Sequence, residues 1–165
     1  MPAGEDKRRA AKSSSPHPSE PPLRGAALAA GLLEEACAPG SGDSLRLEVV
    51  RTLARDLAEE LEALSALDDD VTATVEGALR AADVANLAAC TAPELLETAA
   101  TRAAAAAYLA AGAVRALGIL ADASVGDAHE EPNGEYEQNL SKDARGAVWR
   151  AQLAVRQVDE FMETG

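Results

Sequence analysis

The sequence has very few aromatic residues. Phenylalanine, tryptophan and tyrosine make up 2% of the 165 residues, although 47% of the chain is hydrophobic. A core for a chain of this length must therefore be built from alanine, leucine and valine. A β-sheet favours β-branched and aromatic side chains, whereas alanine is the best helix former. The composition therefore favours an all-α protein before any periodicity is considered.

Histidine and cysteine are also scarce, with two of each. His17 and His129 lie far apart in the sequence, and Cys37 and Cys90 form no CxxC motif. These spacings argue against an ordinary zinc site and against a His-based catalytic triad. We therefore predict no metal site, and we interpret the two cysteines as reduced thiols that behave as small hydrophobic residues.

Basic residues are too few to balance the acidic ones, and the formal net charge is −13. Because Lys7, Arg8, Arg9 and Lys12 lie near the N-terminus, the remainder of the chain is more acidic still. Such a surface repels phosphate backbones, which argues against nucleic-acid binding by the body of the protein. The acidity fits either a cytoplasm with very high salt or an ordinary acidic protein encoded by a GC-rich genome, and composition does not separate the two.

No long hydrophobic run is present. The uncharged segment Ala103–Val114 is too short to span a bilayer, and its extension includes Arg115. Near the N-terminus, a Pro/Ser stretch separates the basic residues from the apolar residues 26–33, which is unlike a signal peptide. We therefore predict a cytoplasmic protein that does not enter the membrane.

Residues 1–22 combine charges with serines and five prolines, a composition that cannot bury enough apolar surface to fold. We predict that they form a disordered basic tail and that residues 23–165 form one domain, a bundle of about five helices. The predicted helices run from Gly25 to Ala38, from Ser44 to Leu67, from Asp70 to Ala89, from Thr91 to about Ser124, and from Ser141 to Met162.

The helix boundaries rest on capping patterns. Asp68, Asp69 and Asp70 can cap the third helix, and the sequence from Thr91 to Glu94 has the form of a capping box with a proline in its first turn. Within the second helix, Arg55 and Glu59 are spaced to pair across one turn. The segment from Ser124 to Asn139 is polar and acidic and predicts a loop.

The fourth predicted helix is long, rich in alanine and almost free of charge, so we expect it to be central and buried on most sides. The last helix has a clear apolar stripe, and Trp149 lies off it. A tryptophan in that position is typical of a subunit contact or of a covered helix end.

Two patterns resemble functional motifs. The sequence from Gly42 to Leu45 has the letters of the GDSL esterase signature, but no strand is predicted before Ser44 and no Asp-x-x-His base follows. The acidic loop around Asp127 and His129 could hold a divalent cation loosely, although such clusters are more often solvated segments.

The chain from Val75 to Phe161 resembles the C-terminal part of the formimidoyltetrahydrofolate cyclodeaminase and methenyltetrahydrofolate cyclohydrolase family. The segments that carry the resemblance are Asn86-Leu87-Ala88-Ala89-Cys90 and Val114-Arg115-Ala116-Leu117-Gly118-Ile119-Leu120. The resemblance implies a helical dimer that acts on a one-carbon group carried by a tetrahydrofolate derivative. The family's glycine-rich segment and its Ser-Asp pair have no counterpart in this chain.

Two functional hypotheses follow. The leading one is a non-catalytic helical protein that forms a homodimer or binds a partner through an alanine-lined helix face, with Trp149 as the interface candidate and no cofactor. The alternative is a folate-dependent enzyme or a degenerate relative of one, with a ligand held between helices by Asn86, Arg102 or Arg115. No catalytic residue is assigned, and the sequence leaves open whether the protein is an enzyme.

Overall fold

The computed structural model describes residues 17–42, 45–127 and 134–164. These residues form five α-helices and one short 3₁₀ turn, with no strand among them. The helices are α1 (Glu20–Ala36), α2 (Leu45–Ser65), α3 (Asp70–Thr91), α4 (Glu97–Asp127) and α5 (Gly134–Thr164), and the turn Ala92–Glu94 joins α3 to α4. The predicted all-α bundle with a long central alanine-rich helix is confirmed.

Helix α4 lies at the centre of the bundle and packs against α1, α3 and α5. Helix α2 packs mainly on α1, and α5 packs on α3 as well as on α4. Alanine dominates the contact between α3 and α4, where fully buried alanines recur along both helices. They are Ala78, Ala81, Ala82, Ala85 and Ala88 on α3, and Ala103, Ala106, Ala107 and Ala110 on α4. Such short side chains allow the helix backbones to approach closely.

The first helix begins earlier than predicted. It starts at Glu20 rather than at Gly25, so the end of the range 1–22 belongs to the described bundle. Pro21 and Pro22 lie in the first turn, where the missing N–H groups cost no hydrogen bond and the fixed φ suits a helix. Prolines that indicated a tail by composition therefore start the helix.

The entry to α1 is tied to the start of α3. Ser19 is 2% exposed, and its hydroxyl donates a 2.5 Å hydrogen bond to the Asp70 carboxylate. The predicted cap of α3 is confirmed, because Asp69 accepts hydrogen bonds from the backbone N–H and the hydroxyl of Thr72, which lower its pKa. The remainder of the predicted tail, residues 1–16, lies outside the described residues.

The junction between α3 and α4 corrects the predicted capping box. Thr91 is the last residue of α3, and its hydroxyl donates to the carbonyl of Leu87 instead of capping a new helix. The turn that contains Pro93 follows, and α4 begins only at Glu97. The proline does lie in the first turn of a helix, but that helix is the short 3₁₀ segment.

This junction is fastened to the loop between α1 and α2. The Leu96 N–H donates to the carbonyl of Ser41 at 2.8 Å. A Cβ atom on Gly42 would lie 2.9 Å from the carbonyl oxygen of Glu94, so the close approach of the two backbones requires glycine there. We call this contact between Ser41 and Leu96 the clasp, and it fixes the beginning of α4 relative to the end of α1.

Of the six ion pairs among the described residues, four join different segments, and two, Arg24–Glu20 and Arg80–Glu76, span one turn of a helix. The predicted pairing of Arg55 with Glu59 is wrong, because Arg55 reaches across to Glu34 on α1 at 2.8 Å. Since these pairs are exposed, each stabilises the bundle by at most about 1 kcal/mol. The interhelical pairs along the middle of the bundle are Arg55–Glu34, Arg80–Glu60 and Arg150–Asp83.

The last helix is longer than predicted. It begins at Gly134 rather than near Ser141, and α4 extends to Asp127, so most of the predicted loop from Ser124 to Asn139 is helical. Residues 128–133 lie outside the described residues. The predicted buried stripe of α5 is confirmed, and its fully buried members are Ala144, Ala147, Ala151, Ala154 and Val158.

The tight packing beside Gly77 gives a testable prediction. A Cβ atom there would lie 2.2 Å from Cδ2 of Leu23, which is itself fully buried, so the leucine must leave its rotamer. We expect Gly77→Ala to lower the free energy of unfolding by about 1–3 kcal/mol. Gly31→Ala is the matched control, because a Cβ atom meets nothing within 4 Å there. It should stabilise the helix by about 0.5–1 kcal/mol. Urea denaturation monitored by circular dichroism measures both, and equal effects would contradict the packing.

Candidate functional site

One side of the central helix is left uncovered by the described residues. Helix α4 is covered by its neighbours on three sides, whereas residues at seven-residue spacing on the fourth side are exposed or half-buried. We call this row the α4 seam, and its members are Thr98, Arg102, Ala105, Leu109, Gly112, Ala116, Ile119 and Ala123. The prediction that this helix is central and buried on most sides is confirmed, and the seam is its uncovered side.

The seam is short of negative charge. Between Glu97 and Asp122, α4 carries no carboxylate, and its only charged residues are Arg102 and Arg115. In a chain with a net charge of −13, the exposed side of the central helix is thus apolar and locally positive. Among the described residues, no salt bridge joins either arginine to a carboxylate.

Helix α5 continues this apolar surface. A Cβ atom on Gly118 would lie 2.7 Å from Cγ2 of Val148, so the two helices touch at this level. The next residue on each helix points outward: Ile119 is 70% exposed and Trp149 is 62% exposed. Trp149 lies off the buried stripe, as its position in the sequence predicts. A large aliphatic side chain and the single tryptophan are thus exposed at the same level of the helix pair.

A hydrogen bond between side chains fixes α4 against α5 near the middle of the seam. The Tyr108 hydroxyl donates to the Asp159 carboxylate. This hydrogen bond raises the pKa of the tyrosine, with smaller contributions from desolvation and from the charges of Asp159 and Glu163. Asp159 has no salt bridge with a described residue, so its negative charge faces solvent beside the seam.

A cleft of about 270 Å³ lies between α4 and α5. Arg115 and Arg145 line it together with Asp122, and its apolar wall includes Ile119 and Val148. Two guanidinium groups can hold a carboxylate of a ligand or of another protein. The volume is below the range of about 300–1,000 Å³ that is typical of small-molecule sites.

A second groove, of about 420 Å³, lies between α2 and α3. Asn86 and the exposed Cys90 line it, together with the carboxylates of Asp56, Glu60 and Asp83. Carboxylates at the wall of a groove repel an anionic ligand. The other cysteine, Cys37, is buried, and burial raises the pKa of its thiol.

The structure does not bring the three predicted ligand-binding residues together. Arg102 and Arg115 lie on the same helix, but they are about 20 Å apart along its axis at 1.5 Å per residue. Asn86 lines the groove on the α2 side of α3, whereas Arg115 lines the cleft with α5. A slot that uses all three residues at once is therefore not formed.

The remaining motifs of the sequence give no catalytic or metal-binding group of side chains among the described residues. Within the part of the chain that the structure describes, no three His, Cys, Asp or Glu residues are placed to hold a metal ion. Ser44 and the preceding Asp43, from the GDSL-like sequence, lie outside the described residues, as do His129 and most of the acidic loop. No nucleophile–base pair is present among the side-chain hydrogen bonds of the described residues.

By length and composition alone, one helix among the described residues could cross a membrane. It is α4 over Glu97–Ser124, and 56% of its most apolar window is buried inside the bundle. The core helix of a helical bundle meets the same criterion, so the finding is weak evidence for a membrane span. The prediction of no membrane contact stays a prediction.

Comparisons with protein-family models, with curated proteins and with solved structures find no match. The resemblance of the segment from Val75 to Phe161 to the cyclodeaminase family therefore stays a prediction.

Sequence reasoning did not find the seam or the partner of Tyr108. The heptad spacing of Ala105, Gly112 and Ile119 was the available signal for the seam. In a helix this rich in alanine, however, covered and uncovered sides have almost the same composition. The contact between Tyr108 and Asp159 joins residues 51 positions apart, and no local pattern predicts it.

The Tyr108–Asp159 hydrogen bond gives a prediction about titration. The Tyr108 phenol should ionise above the usual pKa of tyrosine, because its proton is held by a carboxylate whose negative charge opposes ionisation. The stabilisation from this bond is fully present below the unfolded-state pKa of tyrosine and is lost as the pH rises through the raised folded-state pKa. Absorbance at the tyrosinate band measures the titration in Tyr136→Phe, which leaves a single tyrosine.

Asp159→Asn in that background removes the charge and should move the titration of Tyr108 back towards the usual tyrosine value. Asp143→Asn is the control, since this exposed aspartate lies on the same helix about four turns away. If the titration of Tyr108 is unchanged in Asp159→Asn, the hydrogen bond does not form in solution.

Proposed function

We propose that the protein is a non-catalytic helical module that self-associates into a homodimer through the α4 seam and the adjoining exposed side of α5 around Trp149. The observation that carries the proposal is the uncovered seam on the central helix. It leaves Leu109 and Ile119 in solvent on a stretch of α4 that carries no carboxylate between Glu97 and Asp122, and Trp149 is exposed on the adjoining helix α5.

The size of the surface suits a modest interface. From Thr98 to Ala123 the seam is about 38 Å long at 1.5 Å per residue. Burial of a large aliphatic side chain contributes about 1.5–3 kcal/mol, whereas association costs at least about 4 kcal/mol in lost freedom. Several anchors must therefore be buried together, and Ile119 and Trp149 are the two most exposed large hydrophobic residues of this surface.

Electrostatics favours this surface over the others. Two copies with a net charge of −13 each repel one another at long range. Other exposed apolar residues, such as Val49 and Leu53 on α2, are interspersed with Glu48, Asp56 and Glu59. A contact through the seam keeps most carboxylates of the two copies apart, so it has the lowest cost in repulsion.

A substitution at the most exposed seam residue tests the proposal. Ile119→Lys places a charge in the proposed contact and should weaken self-association at least about tenfold, because an unpaired charge would be buried. Val49→Lys is the matched control: it introduces the same charge at a β-branched residue that is 59% exposed but lies on α2. Sedimentation equilibrium, at about 0.15 M and about 1 M salt, measures the association constant, and circular dichroism checks the fold.

Trp149 supplies an independent readout, because it is the only tryptophan in the chain. Its emission should shift to the blue as the protein concentration rises through the dissociation constant, and the shift should be absent in Ile119→Lys. A wild-type protein that is monomeric at every concentration and salt, with Trp149 fully hydrated, would refute self-association. Equal weakening by Val49→Lys would place the contact elsewhere.

A further inference from the structure

We infer that the two copies pair with their α4 helices antiparallel, about a two-fold axis between Leu109 and Gly112, and that Arg115 of each copy pairs with Asp159 of the partner subunit. This inference rests on the proposed self-association and specifies its partner, its register and the charged pair that fixes it. Two features support this arrangement: the order of large and small residues along the seam, and the charges beside it.

The order of side chains favours the antiparallel arrangement. With the axis between Leu109 and Gly112, the large Leu109 side chain faces the partner's Gly112, which has no atoms of its own chain within 4 Å of a Cβ position. By the same symmetry, Ala105 faces the partner's Ala116. At the centre of the contact the large Leu109 thus meets the small Gly112, as close packing favours, and further out Ile119 faces the partner's Arg102.

If the two α4 helices were parallel, their contact would be poorly packed and their arginines would repel one another. Each seam residue would then face its own copy, so that Leu109 would meet the partner's Leu109 and Gly112 would leave a gap against the partner's Gly112. Arg102 would also lie against the partner's Arg102. Like charges and unfilled space both oppose this arrangement.

The flank of the seam that adjoins α5 supplies charge complementarity. Tyr108 and Arg115 both lie on this flank, seven residues apart. A two-fold axis perpendicular to the plane of two antiparallel helices keeps each flank on its own side. Arg115 then lies level with the partner's Ala106, about 3 Å along the helix from the partner's Tyr108. The Tyr108 hydroxyl is bonded to Asp159, which places that carboxylate within the same region.

Neither Arg115 nor Asp159 forms a salt bridge within its own chain among the described residues. Arg115 is exposed and so is Asp159, and the second copy brings opposite charges together twice, once on each side of the axis. Charge pairs of this kind at the edge of an interface fix the register more than they add affinity. The arrangement leaves Trp149 on the same side of the dimer as the two charge pairs.

Charge reversal tests the pairing. Arg115→Glu and Asp159→Arg each place like charges together and should weaken the dimer about tenfold, because two symmetric contacts change at once. The double variant Arg115→Glu/Asp159→Arg restores opposite charges and should recover most of the wild-type association constant. Lys142→Glu/Asp143→Arg is the control, since it swaps charges on an exposed turn of α5 away from the seam.

Cross-linking tests the direction of the helices. In a Cys90→Ser background, Thr98→Cys and Ala123→Cys chains are mixed and treated with a short bismaleimide. The antiparallel pair brings these positions together, so the mixture should give a cross-linked dimer, whereas either variant alone should give little. A parallel pair would instead cross-link each variant alone, because the two positions are about 38 Å apart on one helix.

The outcomes separate this inference from the proposed function. If the wild type dimerises but the double charge variant does not recover, or if single variants cross-link, the register is wrong and self-association stands. If the wild type does not dimerise in sedimentation equilibrium, both fail. Recovery together with cross-linking of the mixture alone supports the full arrangement.

Discussion

The structure depends on close contact between alanine faces, above all between α3 and α4. An alanine buries little surface, so each residue contributes less hydrophobic free energy than a leucine would. The backbones can approach closely instead, and the contact must extend over many turns to accumulate enough dispersion energy. This constraint accounts for a central helix of 31 residues and for Gly77, where even a methyl group would displace a buried leucine.

Such a core leaves the largest side chains outside it. Trp149 is 62% exposed and Tyr108 is 41% exposed, although aromatic residues are usually the main contributors to a core. The core of the bundle therefore forms without the side chain of Trp149. This side chain can still gain hydrophobic free energy if another contact buries it. The packing of the core thus leaves exposed an aromatic side chain of the surface that we propose for self-association.

The sequence predicted what depends on local pattern. The stripe of the last helix followed from helical period and the cap at Asp69 from hydrogen-bonding capacity, and both were confirmed. The prolines at Pro21 and Pro93 were misread, because proline is compatible with a tail, a helix start or a turn, and only tertiary contacts decide among these. The uncovered side of α4 was missed since a nearly uniform alanine helix has no contrast between its sides. The clasp between Ser41 and Leu96 joins distant segments and has no local signal.

The absence of carboxylates from the seam is what distinguishes it from the rest of the protein surface. Carboxylates on an exposed helix face are the simplest protection against unwanted association, and this chain has 28 acidic residues available for that purpose. None of them lies between Thr98 and Ala121, although one side of that stretch faces solvent. Folding alone does not require this absence, because an acidic residue at an exposed position such as Ala105 would not enter the core. A surface that must come close to another copy does require it, since a carboxylate at the seam would be buried without a partner.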